Sequence, residues 1–215
     1  MKNQKISKLQ VILTTSFVVI LLICNIITIK QIQLPFNLVI TGAALLFPFT
    51  YILSDIFSEV YGYKWSRFTC YLGFSLNLFM VLVFSLIIIA PAPDFFTKQE
   101  ALTTILGSTP RILGASLIAY MIGDFVNDRI FKKMKEKHEE SLKGFGFRAI
   151  LSSFCGYIID SSIFLPLAFW GIIPNSTLII MLFTQVLIKT SSEVVILPLT
   201  SYIVKLVLNH ERKHI

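Results

Sequence analysis

Apolar side chains run along this chain in long blocks, separated by short polar or basic segments. Each block is close to or above the roughly 20 residues that an α-helix needs to cross a bilayer. The interruptions coincide with proline, glycine or clustered charges, as expected between spans. The pattern predicts six membrane spans, at about 11–29, 35–56, 68–90, 105–130, 149–170 and 177–208.

The composition supports a membrane class. Apolar side chains make up 55% of the 215 residues and charged ones 14%, against about 45–50% and 25% in soluble domains. No serine- or glycine-rich linker divides the chain, so we predict one all-α polytopic domain over residues 1–215. The three cysteines lie inside apolar blocks without paired spacing, which indicates neither a disulfide framework nor a zinc site.

The first two spans need separate arguments. Residues 11–29 follow a basic arm, as a signal-peptide core would, but the run is longer than such a core and lacks small residues for cleavage. We therefore keep it as a span. In the second span, Pro35 and Pro48 predict a kinked or broken helix.

The net charge of +7 is explained by topology. With six spans and a cytoplasmic N-terminus, fifteen basic residues fall in cytoplasmic segments, seven of them within 129–148, and only Lys30 and Lys98 fall in outer loops. This asymmetry is the positive-inside pattern, so both termini are predicted to be cytoplasmic. Nucleic-acid binding is not expected, because the basic residues are spread over separate short segments.

The stretch Phe47–Arg67 combines an apolar run with acidic and basic residues. Asp55 and Glu59 are four residues apart and therefore share one face of a helix. Two neighbouring carboxylates need a cation, a proton or a hydrogen-bonding partner, and Arg67 is a candidate cation. We interpret these three residues as a cytoplasmic gate or coupling site, and Asp124 near the cytoplasmic end of span four as a further member.

Spans five and six carry ionisable residues near the predicted midplane. Gln185, Lys189 and Glu193 recur every four residues on one helical face, and Asp160 has no partner nearby on its own helix. A charge at this depth costs about 2.5–3.5 kcal/mol or more unless it is paired or hydrated. The alternative is that Lys189 and Glu193 only neutralise one another, although Lys before Glu is the poorer order. We favour a polar cavity.

Other polar and aromatic positions leave two interpretations open. Asn77 could link helices or donate to a ligand, and Arg111 could simply extend to the membrane interface. Some aromatic residues could form interfacial belts instead of stacking on a ligand; these are Tyr51, Tyr61, Tyr63, Tyr120 and Trp170.

Most catalytic chemistries lack their motifs. There is no G-x-x-x-x-G-K-[ST] phosphate loop, and the three histidines lie in predicted cytoplasmic segments. One enzyme alternative remains, because Asp55 with Glu59 and Asp124 with Asp128 could hold magnesium and a diphosphate at one face, as in membrane prenyltransferases. A gate or solvated helix ends would explain the same residues more simply.

Four blocks of the chain carry a family resemblance. They are Pro48-Phe-Thr-Tyr-Ile-Leu-Ser-Asp55-Ile-Phe-Ser-Glu59-Val-Tyr-Gly-Tyr-Lys-Trp-Ser-Arg67, Ala115-Ser-Leu-Ile-Ala-Tyr-Met-Ile-Gly-Asp124-Phe-Val-Asn127, Gly156-Tyr-Ile-Ile-Asp160-Ser-Ser-Ile-Phe164 and Gln185-Val-Leu-Ile-Lys189-Thr-Ser-Ser-Glu193. In this order they resemble the queuosine precursor transporter family. The resemblance implies a six-span transporter of the bacterial inner membrane, not an enzyme and without a cofactor.

The resemblance also implies a ligand. It would be a 7-deazaguanine, either the cyano or aminomethyl precursor of queuosine or the base queuine, held at a polar site near the membrane midplane. The substrate-binding residues would then be drawn from Asn77, Asp160, Phe164, Gln185, Lys189 and Glu193. A substrate-binding subunit of an ATP-driven uptake complex is an alternative, and a homodimer is one compatible assembly.

Overall fold

The computed structural model describes residues 6–137 and 145–214; side chains within these ranges are described except at 124, 127, 128, 131, 132, 135–137, 145–149 and 212–214. Its elements are α1 (Lys8–Ile27), β1 (Gln31–Gln33), β2 (Val39–Thr41), α2 (Phe47–Ile56), α3 (Tyr63–Ile89), α4 (Gln99–Leu106), α5 (Thr109–Lys137), α6 (Phe145–Phe169) and α7 (Asn175–His214). Five helical segments of the described chain are long and apolar enough to cross a membrane. The all-α, multi-pass class is thereby confirmed.

The first helix begins at a capping box. The Ser7 hydroxyl accepts a hydrogen bond from the Gln10 amide at 2.9 Å, and the Gln10 side chain accepts one from the Ser7 amide. These contacts satisfy two of the amide groups that a helix start leaves unpaired. These bonds fix Ser7 as the residue that caps the start of α1.

The second predicted span differs most from its prediction. Residues 35–41 form the turn and second strand of an antiparallel hairpin in which Ile32 pairs with Ile40, so the predicted start of the span at residue 35 is wrong. The β-branched run Val39-Ile40-Thr41 favours extended backbone. Phe36 and Asn37 turn the chain with positive φ angles of 63° and 58°.

The rest of that span is a broken helical segment, as its prolines predicted. A short 3₁₀ turn at Gly42–Leu45 leads into α2, which continues as a π-helical turn at Phe57–Tyr61. Gly62 then ends the segment with a φ of 83°, in the region that favours glycine. Residues 42–61 thus form one broken helical segment that passes from 3₁₀ to α to π geometry.

Two other boundaries also shift. The predicted fourth span began at residue 105, but α4 closes at Gly107 and α5 starts only at Thr109, followed by Pro110. Proline is well suited to the first turn of a helix, where its missing N–H costs nothing. The last helix is longer than predicted and continues through Pro198.

Hydrogen bonds between distant residues define the two ends of the bundle. At the Glu211 end, one Glu211 carboxylate oxygen accepts from the Ser7 hydroxyl at 2.6 Å and from the Tyr61 hydroxyl at 3.0 Å. At the Arg111 end, the Arg111 guanidinium donates to the carbonyls of Leu167 and Trp170. Arg111 therefore caps the carboxyl end of α6, a specific role beyond the interfacial one considered above.

Two apolar clusters hold the helices together. One lies near the Arg111 end and is built on Ala115, Leu165, Ala168, Phe169, Leu178 and Met181. The other lies towards the Glu211 end and is built on Phe17, Leu53, Ile56, Phe57 and Val207. Many large apolar side chains on the outer surface are exposed, such as Phe79 and Leu86 on α3, which suits contact with lipid.

Candidate functional site: a polar cavity between the helices

A cavity of about 490 Å³ lies among the helices, lined by residues of α1, α2, α3, α5, α6 and α7. Its volume is within the roughly 300–1,000 Å³ typical of small-molecule sites. The lining includes one predicted gate residue, Arg67, and three predicted substrate-binding residues, Asn77, Asp160 and Lys189. Phe164, another predicted substrate-binding residue, lines it as well.

The charges of the cavity centre on one ion pair. The Lys189 ammonium on α7 donates to an Asp160 carboxylate oxygen on α6 at 2.5 Å, and Lys189 is 7% exposed. The ammonium also lies 5.2 Å from the centre of the Phe47 ring and 5.9 Å from that of Tyr157. Both distances suit cation–π attraction. Asp160 thus finds on α7 the partner that its own helix lacks.

The approach of α5 to this ion pair depends on Gly123. A Cβ atom at this position would lie 3.0 Å from the Asp160 Cβ and 3.2 Å from the Gly156 carbonyl oxygen. Both distances are shorter than ordinary van der Waals contact. The absence of a side chain at Gly123 is therefore what lets α5 pack directly against the backbone that carries Asp160.

Aromatic rings form the walls of the cavity. Phe47 and Tyr51 stack at 6.4 Å with an interplanar angle of 23°, and Tyr51 continues to Tyr157 at 6.0 Å. Phe74 and Tyr120 meet on another side at 5.5 Å. Tyr51 and Tyr120, considered above as interfacial residues, line the cavity instead. Such flat walls favour a planar, partly aromatic ligand.

Two asparagines add uncharged polar groups. Asn77 on α3 and Asn25 on α1 both line the cavity and are 3% and 7% exposed. The Asn77 amide donates to the Gly73 carbonyl at 3.0 Å, one turn earlier. Asn25 was missed in the sequence, because a single amide inside an apolar block carries no pattern that distinguishes it from a structural residue.

Two of the predicted binding residues lie beside the cavity and do not line it. Gln185 is almost fully buried and donates to the Thr41 hydroxyl at 3.4 Å, joining α7 to the hairpin. Glu193 is not in the lining, but its carboxylate interacts with Ser153 and Tyr157, which are. One Glu193 oxygen is buried without a hydrogen-bond partner among the described residues.

The predicted gate residues are placed differently from one another. Asp55 and Glu59 are exposed, and Asp55 is within electrostatic range of Glu193. Arg67 lines the cavity, donates to the Tyr63 hydroxyl at 2.8 Å and lies 5.1 Å from the centre of that ring. The side chain of Asp124 falls outside the described residues. Within the described part of the chain, no three His, Cys, Asp or Glu side chains come together as metal ligands.

The geometry as a whole suits binding of a small, flat molecule with several hydrogen-bonding groups. The lining combines a carboxylate and an ammonium with two amides and several aromatic rings. Since the chain is a multi-pass membrane protein, a ligand held here is surrounded by transmembrane helices. This is the arrangement expected of a transporter, whose sites commonly lie between helices at membrane depth.

Comparison with known proteins gives the same class. Residues 41–203 match the family described as "Putative vitamin uptake transporter". The chain is also 26% identical over 192 residues to the "Probable queuosine precursor transporter" of Bacillus subtilis (strain 168), covering 87% of this chain and 81% of that protein. No solved structure matches. Because the family match extends over well more than half of its length, the chain belongs to this vitamin uptake transporter family, and it is a membrane transporter rather than an enzyme.

Proposed function

We propose that the protein imports 7-deazaguanine precursors of queuosine across the bacterial cytoplasmic membrane. The observation that carries the proposal is the Lys189–Asp160 pair inside an aromatic-walled cavity. The name of the Bacillus subtilis relative supplies the substrate class. Uptake of such a base would serve the salvage of precursors for tRNA modification.

The chemistry of the base fits these groups. A deazaguanine presents its N1–H and exocyclic amine side by side, and one carboxylate can accept both hydrogen bonds. Asp160 is the better candidate than Glu193 for this role, because Asp160 lines the cavity and Glu193 does not. Lys189 would donate to O6, and Phe164 or Tyr157 would cover the ring face. An analogue without the amine would leave the carboxylate partly unpaired, which is the basis of discrimination.

The test is uptake of labelled base by cells that lack their own uptake system and express this chain alone. The cyano, aminomethyl and queuine forms are compared, with Asp160→Asn as the site variant. Ser191→Ala, at an exposed hydroxyl on α7, is the matched control. Uptake by the wild type and the control, lost in Asp160→Asn, supports the proposal. Absence of both uptake and binding for all three bases refutes it, and uptake only when an ATPase module is supplied indicates a subunit of a larger complex.

The proposed topology has six crossings with both termini in the cytoplasm. Residue 42 lies beside the end of α1, where its amide donates to the Lys30 carbonyl. Tyr61, at the end of the same segment, bonds to Glu211 together with Ser7, the residue before α1. Residues 42–61 therefore cover the same distance as α1, which supports counting this broken segment as the sixth crossing.

Labelling with a membrane-impermeant thiol reagent tests this arrangement in a cysteine-free background. Phe36→Cys in the hairpin turn is expected to be labelled from outside, because Phe36 is 93% exposed. Lys64→Cys, at the start of α3, is expected to be labelled only after the membrane is permeabilised. Equal labelling of both positions from outside contradicts a crossing by residues 42–61.

A further inference from the structure

Asn25 and Asn77 lie on α1 and α3, whereas the ion pair belongs to α6 and α7. Both asparagines line the cavity, and both are more than nine-tenths buried. The Asn25 Nδ2 and the Asn77 Oδ1 have no hydrogen-bond partner among the described residues. Buried polar groups are rarely left unpaired in proteins, because losing water without a replacement partner is costly.

The two unpaired atoms are complementary in kind. The orientation of the Asn77 amide is fixed by its bond to the Gly73 carbonyl, since only the NH₂ group can donate to it. The Asn77 oxygen is therefore left as an acceptor, while the Asn25 nitrogen is a donor. A ligand edge that carries one N–H group beside one acceptor nitrogen or oxygen would supply the kind of partner that each atom lacks.

A role as a link between helices does not account for these groups. The bond that Asn77 makes is to its own helix, one turn earlier, and that carbonyl lies within α3 itself. The amide thus uses one of its two N–H donors within α3 and leaves its acceptor oxygen unpaired. A structural link would instead use the oxygen on a neighbouring helix.

We propose that Asn25 and Asn77 bind the N3 and N9–H edge of the imported base, with Asn25 donating to N3 and Asn77 accepting from N9–H. This inference rests on the proposed function and extends it. In a 7-deazaguanine this edge lies across the ring system from the N1–H and O6 groups that Asp160 and Lys189 would bind. A nucleoside carries its sugar on N9, so it has no N9–H to donate. The amide pair therefore selects the free base over the nucleoside.

The experiment measures binding of the free base and of its N9-methyl analogue to the purified full chain. In the wild type, the analogue should bind about ten- to a hundredfold more weakly, because it leaves the Asn77 oxygen unpaired. Asn77→Leu, of similar size, should weaken binding of the base by about the same factor and bring the two ligands close to equal affinity. Asn25→Leu, on a different helix, should weaken both ligands alike, since each retains N3.

Thr69→Val is the matched control. Thr69 lies on α3 like Asn77, is fully buried and has an unpartnered hydroxyl, but it does not line the cavity. This variant should keep wild-type affinity for both ligands. A structural role for Asn77 predicts a lower melting temperature in Asn77→Leu, whereas a binding role predicts an unchanged or higher one, because an unpaired buried oxygen is removed.

The outcomes separate this inference from the proposed function. Equal wild-type affinity for the base and its N9-methyl analogue overturns the inference, as does wild-type discrimination retained in Asn77→Leu. In both cases the wild type still binds the base, so the proposed function stands. If the wild type binds no deazaguanine at all, the proposed function fails and the inference fails with it.

Discussion

Lys189 pairs with Asp160, 29 residues earlier on α6, and not with Glu193, one turn later on its own helix. The pair joins the two helices across the wall of the cavity and leaves the Asp160 side chain one quarter exposed. Removing one partner of a buried pair leaves an uncompensated charge, which typically costs about 3–5 kcal/mol. The exposure of Asp160 places the expected cost at the lower end of that range.

The first prediction is a thermodynamic cycle on this pair. Lys189→Met and Asp160→Asn should each lower the melting temperature of the purified protein. The double variant should lose less than the sum, with a coupling of about 1–3 kcal/mol. Lys205→Met on the exposed part of α7 is the control and should have little effect. Additive losses would mean that the two side chains do not stabilise one another.

The second prediction is that Glu193 does not contact the substrate directly. Glu193 lies close to Tyr157 and Ser153 but does not line the cavity, so Glu193→Gln should change affinity only through the position of Tyr157. We expect a loss of less than about tenfold, against a hundredfold or more for Asp160→Asn, which loses a charge-assisted pair of bonds. Equilibrium binding of the base to both variants checks this. A larger loss in Glu193→Gln would place Glu193 in direct contact with the substrate.

The third prediction concerns Arg111. Its guanidinium donates to two carbonyls at the end of α6, at 2.6 and 2.7 Å. Arg111→Met should therefore reduce stability by about 1–2 kcal/mol, since both carbonyls lose a charged donor. Arg111→Lys should recover part of the loss, because an ammonium keeps the charge but lacks the planar fork. Thermal denaturation of the two variants is the measurement, and identical stability in Arg111→Met and wild type would contradict the capping role.

The fourth prediction concerns the Glu211 end. Tyr61→Phe removes one of the two hydroxyl donors to Glu211 and should destabilise the protein by about 1.5–3 kcal/mol, the range for hydrogen bonds to charged groups. Tyr202→Phe is the matched control, because Tyr202 is 62% exposed on α7. Proteolysis near residues 57–62 should also speed up in Tyr61→Phe. If both phenylalanine variants melt alike, the Tyr61 bond contributes no stability.

The helices could be predicted because their signal is local. An apolar block such as residues 68–90 is long enough to cross a bilayer as a helix, and α3 covers it up to Ile89. The hairpin could not be predicted by the same rule, since Ile32 and Ile40 contribute to hydropathy equally in a strand or a helix. The turn could not be recognised from the sequence, because phenylalanine rarely adopts the positive φ angle that Phe36 has here.

The candidate site was predictable by residue type and less so by arrangement. The cost of burying a charge identified Asp160 and Lys189 as residues that need partners. Which partners they take depends on how α6 packs against α7, and the four-residue spacing to Glu193 left a pair within α7 as an alternative. Asn25 shows the limit of the method, because its role depends on a cavity formed by six helices and on no neighbour in the chain.

The missing side chain at Gly123 has a consequence for how the charges of the cavity can be adjusted. A single methyl group there would meet the Asp160 Cβ at 3.0 Å, so α5 or Asp160 would have to move by a few tenths of an ångström. Such a shift would change the distance between the Asp160 carboxylate and the Lys189 ammonium on α7. The geometry of this ion pair therefore depends on how closely α5 packs against α6, and Gly123, which permits that packing, contributes only backbone atoms.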